Sequence, residues 1–137
     1  MIKKLAHVGI AVRDLDASAA LFARLFGAEP SGRETVGDVL LAFFRIGGTD
    51  IELTQPAAAG SALERFLGNR GEGIHHLSFD VDDIRSELAR LTEAGFVVAG
   101  EAPRPGADGS LVAFLHPKST NGVLIELCQS AGAGREK

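Results

Sequence analysis

The 137-residue sequence contains one cysteine, no tryptophan, no tyrosine and no run of like charges. A lone Cys128 excludes an internal disulfide. It ends the apolar run GVLIELC with no positive residue adjoining it, so it reads as a small buried hydrophobe rather than a reactive thiol. Apart from Lys3-Lys4, lysine and arginine are scattered singly in a chain of net charge -4, which leaves no electrostatic footprint for a phosphate backbone. Nucleic acid is therefore not an expected partner. No apolar run is long enough for a signal peptide or a bilayer span, so the expectation is a cytoplasmic protein without membrane association. There is also no P-loop or G-x-G-x-x-G segment to cradle phosphates.

What is present is ordinary for a folded chain: 45% hydrophobic and 23% charged residues, enough for one good core and too few residues for two independent domains. The order of segments repeats. HVGIAV, from His7, alternates small or polar with branched apolar residues, as a strand does. In the following segment Leu15, Ala19, Phe22 and Phe26 fall at helical spacing between a capping Asp14 or Asp16 and a closing Gly27. VLLAFFRIG and TDIELTQ then read as two strands about a Gly47-Gly48 turn. From His76 the sequence runs through the same order: HLSFDV, the amphipathic helix DDIRSELARLTEAG, then SLVAFLHP and GVLIELCQ. His7 and His76 are 69 positions apart, Ala42-Phe43 and Ala113-Phe114 71, and Ile51-Glu52-Leu53 and Ile125-Glu126-Leu127 74. Three matches in one order at nearly constant offset indicate a duplicated unit. PAAAGSALERFLGNRGEG supplies a short helix and a Gly-rich connector between the copies.

Each copy places a histidine on its first strand and a glutamate, flanked by isoleucine and leucine, on its last: His7 with Glu52, His76 with Glu126. An ionised glutamate in that setting needs water, a cation or a donor. Taken singly, a strand histidine is most often hydrogen-bonded or exposed, and such a glutamate most often lies on the wet side of a sheet. As two copies folded together, the four can converge in one cleft. Two nitrogens and two oxygens there suit a borderline divalent ion with positions left for water. Adjacent strand residues point to opposite faces, so the repeat register selects His76 and gives His75 a structural or second-layer role. His116, before Pro117 at a strand end, is expected at an exposed rim.

At these residues the chain resembles a known family. HVGIAVRDLD, GIHHLSFDVDDI and above all FLHPKSTNGVLIEL are similar to the methylmalonyl-CoA epimerases of the vicinal oxygen chelate group, which also contains glyoxalase I and ring-cleaving dioxygenases. The likeness runs from about His7 to Gln129. It implies an α+β fold of two tandem β-α-β-β-β modules forming a curved-sheet cup, with residues 29–36 and 96–102 as the missing fifth elements. The expected organisation is one domain over 1–137: modules at about 3–56 and 73–129, a connector at about 57–72, and a tail at 130–137.

The resemblance further implies a homodimer holding one divalent metal ion per chain on His7, Glu52, His76 and Glu126. The ion would be cobalt, zinc, nickel or manganese, with cobalt favoured by the likeness. The activity implied is epimerisation of the (R) and (S) forms of methylmalonyl-CoA, by α-proton exchange through a metal-stabilised enolate, with an acyl-CoA as the substrate partner. Glu126 is either a plain ligand or one of the two acid/base groups. For the second group VLLAFF offers no carboxylate, which leaves Asp38, or Glu34, just upstream. Lys118 and Ser119 are candidates to hold the substrate carboxylate or a coenzyme A phosphate. Two other readings stay open: glyoxalase I, using the same four ligands on a glutathione hemithioacetal, and a non-catalytic small-molecule binder of the same fold.

Overall fold

The computed structural model describes residues 1–132; the end of the expected tail, residues 133–137, lies outside the described residues. In chain order the elements are β1 (Ile2–Ala11), α1 (Leu15–Phe26), β2 (Gly32–Val36), β3 (Val39–Ile46), β4 (Thr49–Pro56), α2 (Ala62–Arg70), β5 (Gly73–Val81), α3 (Ile84–Glu93), β6 (Val98–Pro105), β7 (Leu111–Leu115) and β8 (Ile125–Gln129). The β-α-β-β-β order occurs twice, with α2 in the connector. No helix among the described residues is long and apolar enough to cross a membrane.

The chain divides into two compact units, His7–His75 and a second made of Met1–Ala6 with the chain from His76 onward. Strand β1 therefore gives its last five residues to one unit and its first five to the other.

In the first unit the strand order is β2-β3-β4-β1, with β1 parallel to β4 and the other pairs antiparallel. Helix α1 starts because the Asp14 carboxylate accepts from the Ala17 N–H at 3.1 Å. A further N–H of the first turn, that of Leu15, donates to the Gln55 amide oxygen at 2.7 Å. The helix stops at Gly27, which takes the left-handed conformation (φ 70°). Its apolar stripe packs on one sheet face, against Val12, Ala42, Phe44 and Leu53, with Ile10 and Leu40 at the margin. On the other face, α2 packs Leu63 and Leu67 against Ala11 and Val39.

The second unit has the order β1-β5-β8-β7-β6, with β5 parallel to β8. Its helix α3 is started the same way. Asp83 accepts from the Ser86 N–H at 3.3 Å, and the Ile84 N–H donates to the Gln129 amide oxygen at 2.8 Å. Val81, Ile84, Leu91, Ala113, Leu115 and Leu127 form its core. The buried Glu87 of α3 accepts from Arg90 and pairs with the N-terminal ammonium at 3.0 Å. The Arg90 guanidinium, helped by that ammonium and opposed by burial, holds the Glu87 carboxyl below its ordinary range.

The fifth elements are β2 and β6. The second of these starts at Val98 rather than 96, and it ends later than the expected 102 because its pairing with β7 is interrupted between Ala99 and Arg104 and resumes at Arg104 and Pro105.

Candidate functional site

In the first unit, residues facing α1 alternate with residues facing away. His7, Gly9 and Ala11 of β1 share the second face with Glu52 and Thr54 of β4, Leu41 and Phe43 of β3, and Gly32 and Glu34 of β2. There the His7 Nδ1 lies 3.4 Å from the Glu52 Oε2, both side chains largely shielded from solvent. One strand step away, Asp50 grips the Arg45 guanidinium with two bonds, at 2.7 and 3.1 Å.

The second unit repeats the arrangement. Facing away from α3 are His76 and Ser78 of β5, Glu126 and Cys128 of β8, and Val112 and Phe114 of β7. His76 Nε2 lies 3.5 Å from Glu126 Oε1, and both residues are buried. The Phe114 ring is directly opposite Glu126 and meets the His76 ring edge-on at 5.8 Å. Ser78, fully buried and opposite Glu126 on the other side, has no hydrogen-bond partner for its hydroxyl among the described residues. Cys128 is half-buried rather than buried, since strand alternation puts it on the Glu126 face and Leu127 in the core.

Both His–Glu pairs are longer than a charge-assisted hydrogen bond, roughly 2.7–2.9 Å. Two donors roughly 2.1 Å from one ion, at angles between octahedral and tetrahedral, stand roughly 3.0–3.5 Å apart. Each pair thus has the spacing of neighbouring ligands, and imidazole with carboxylate is a donor set that suits borderline divalent ions.

The remaining sequence-selected residues fall elsewhere. His75 is set edge-on against Phe66 of α2, ring centroids 4.7 Å apart. His116 is exposed and accepts from the Lys118 N–H at 3.1 Å, closing the 117–120 turn. Ser119 spends its hydroxyl inside that turn, donating to the His116 carbonyl at 2.8 Å and accepting from the Val97 N–H at 3.3 Å. Lys118 projects from the same turn, exposed and without a carboxylate partner among the described residues.

Asp38 lies in the exposed turn between β2 and β3, its carbonyl accepting from the Ala57 N–H at 2.7 Å. Val39 is level with Pro56, so Asp38 sits beyond the end of the ladder, roughly 17 Å along the strands from Glu52. Glu34 differs: it is opposite Leu41, half-buried, on the Glu52 face, with no partner among the described residues.

One residue escaped the sequence reading. Arg104 of β6 faces Val112 across the ladder and lays its guanidinium carbon 5.6 Å from the centre of the Phe114 ring. Between two prolines in APRPG it looks like a turn residue, and only the late restart of β6 pairing brings it to this face.

Comparison with known proteins matches residues 6–114 to the glyoxalase/bleomycin resistance protein/dioxygenase superfamily. The chain belongs to that superfamily. An ethylmalonyl-CoA/methylmalonyl-CoA epimerase of Cereibacter sphaeroides is 44% identical over 133 residues, covering 94% of this chain and 99% of that one. The human mitochondrial methylmalonyl-CoA epimerase is 36% identical over 130 residues, covering 93% of this chain and 74% of that one. Among solved structures, a Streptomyces coelicolor methylmalonyl-CoA epimerase in complex with 2-nitronate-propionyl-CoA superposes with a TM-score of 0.91 at 35% identity, covering 97% and 98% of the two chains. A methylmalonyl-CoA epimerase in complex with methylmalonyl-CoA and NH4+ gives the same score at 34% identity, with the same coverage.

Proposed function

We propose that the protein is an isomerase that epimerises methylmalonyl-CoA by exchanging the proton between its thioester and carboxylate. The likeness to the Cereibacter sphaeroides epimerase over nearly the full length of both chains carries this reading. The solved epimerases with acyl-CoA ligands support it.

In this reading His7, Glu52, His76 and Glu126 hold one divalent ion: cobalt, zinc, nickel or manganese. His7, Glu52 and His76 each offer a ligand atom, and the 3.5 Å pair formed by Glu126 with His76 has the spacing of neighbouring ligands. Once bound, such an ion supplies positive charge to the acyl oxygens as negative charge builds on them. The protein's own groups do the rest. Glu126, buried beside Phe114, takes or returns the α-proton on one side of the planar intermediate. For the other side Glu34 ranks above Asp38, because it shares the face of Glu52 while Asp38 lies past the end of the ladder. Lys118 holds a coenzyme A phosphate at the surface, and Ser119 keeps the turn that presents it. A cytoplasmic homodimer completes the reading.

The test compares two assays on metal-reconstituted protein: loss of the α-deuteron from labelled methylmalonyl-CoA, and formation of lactoylglutathione. Turnover in the first supports the proposal. Turnover only in the second replaces it with glyoxalase I, and a chain that takes up metal but turns over neither substrate is a binding protein.

A further inference from the structure

The duplicated scaffold permits a comparison inside one chain. In each unit a phenylalanine lies opposite the glutamate of the last strand, Phe43 by Glu52 and Phe114 by Glu126, and an arginine lies over that ring. The guanidinium carbons are 6.0 Å from the Phe43 centroid for Arg45 and 5.6 Å from the Phe114 centroid for Arg104. The two arginines then part company. Asp50 neutralises Arg45 with a two-pronged ion pair. Arg104 is exposed and has no carboxylate partner among the described residues.

A guanidinium stacked on a ring keeps its N–H edges free, and the fixed fork of donors fits a carboxylate or phosphate through two parallel bonds. Phe114 connects this fork to the chemistry, since its ring also meets His76 edge-on and stands opposite Glu126. An oxyanion bound to Arg104 would thus sit beside the residues assigned to the acyl end, not out at the 117–120 turn.

We infer that Arg104 binds the free carboxylate of the acyl group and makes the protein selective for malonyl-type thioesters over simple acyl-CoAs. This rests on the proposed function but names a residue that function does not require. The probe set separates the two possible oxyanions: methylmalonyl-CoA carries both carboxylate and phosphates, while propionyl-CoA and coenzyme A carry only the phosphates.

Calorimetric titration of metal-loaded wild type, R104Q and R104K with each probe is the experiment. R104Q should weaken methylmalonyl-CoA binding by about ten- to a hundredfold, the range for hydrogen bonds to a charged group, and leave propionyl-CoA and coenzyme A unchanged. R104K, which keeps the charge and loses the fork, should fall between. An equal loss for all three probes would assign Arg104 to a phosphate and overturn the inference, as would no loss for any. Thermal midpoints of the variants should stay within a few degrees of wild type, since the exposed side chain loses at most a ring contact of about 0.5–1 kcal/mol. Wild-type protein that binds none of the probes would instead sink the functional reading itself.

Discussion

Replacing His76 and His75 separately by alanine tests the strand register on which the metal proposal depends. The residues are neighbours with different surroundings: His76 is buried 3.5 Å from Glu126, and His75 stands edge-on against Phe66. Losing an edge-to-face ring pair costs about 0.5–1.5 kcal/mol. For a chain of this size that lowers the thermal midpoint by roughly 2–8 °C. His75→Ala should therefore melt earlier, with unchanged metal content and an unchanged rate of deuteron loss. His76→Ala removes a proposed ligand and leaves the Glu126 carboxylate buried without its imidazole. Changes to groups that merely orient ligands lower metal affinity or activity by about 10–100-fold, so removing a ligand should cut turnover by at least about a hundredfold and lower the metal found per chain. Elemental analysis, the deuteron assay and a melting curve on each variant provide the readouts. Full metal and turnover in His76→Ala, with loss of both in His75→Ala, would refute the register.

Two further expectations follow from particular side chains. E34Q should slow deuteron loss by about a hundredfold or more, while D38N stays within about twofold of wild type; the reverse would move the second acid/base group to the turn. Glu87, held below its ordinary range mainly by Arg90, contributes stability that is present above the unfolded glutamate value of 4.5 and is lost as pH falls through the lower folded value. Urea midpoints of wild type should therefore drop more steeply below about pH 4.5 than those of E87Q, and parallel curves would show that the pairing is energetically idle.

Most of the fold was legible because each module is marked by local signals that agree. Strand alternation gave the faces, Asp14 or Asp16 the start of the first helix, and Gly27 its end, all set by residues a few positions apart. Period two also separated His76 from His75. What the sequence hid depends on register between strands. Asp38 and Glu34 are four residues apart and equally acidic, and only the pairing of β2 with β3 places one on the Glu52 face and the other past its end. Arg104 stayed hidden for the same reason, since no local pattern announces where the interrupted β6 ladder resumes.

The duplication also indicates which differences carry chemistry. On the helix side the copies agree: an aspartate caps each helix, and a glutamine three residues beyond each strand glutamate accepts from the helix's first N–H. Those bonds tie the last strand of a module to the start of its helix, and parallel pairing ties that strand to the histidine strand, so they hold histidine and glutamate in register. On the opposite face the His–Glu pairs, the adjoining phenylalanines and an arginine over each ring are kept. Opposite the glutamate stands Gly9 in one copy and Ser78 in the other, and one arginine is neutralised while its counterpart is open. A scaffold requirement acts equally on both copies, whereas a chiral substrate with one carboxylate presents different groups to each. The divergence around the two glutamates is therefore what the proposed asymmetric substrate would produce.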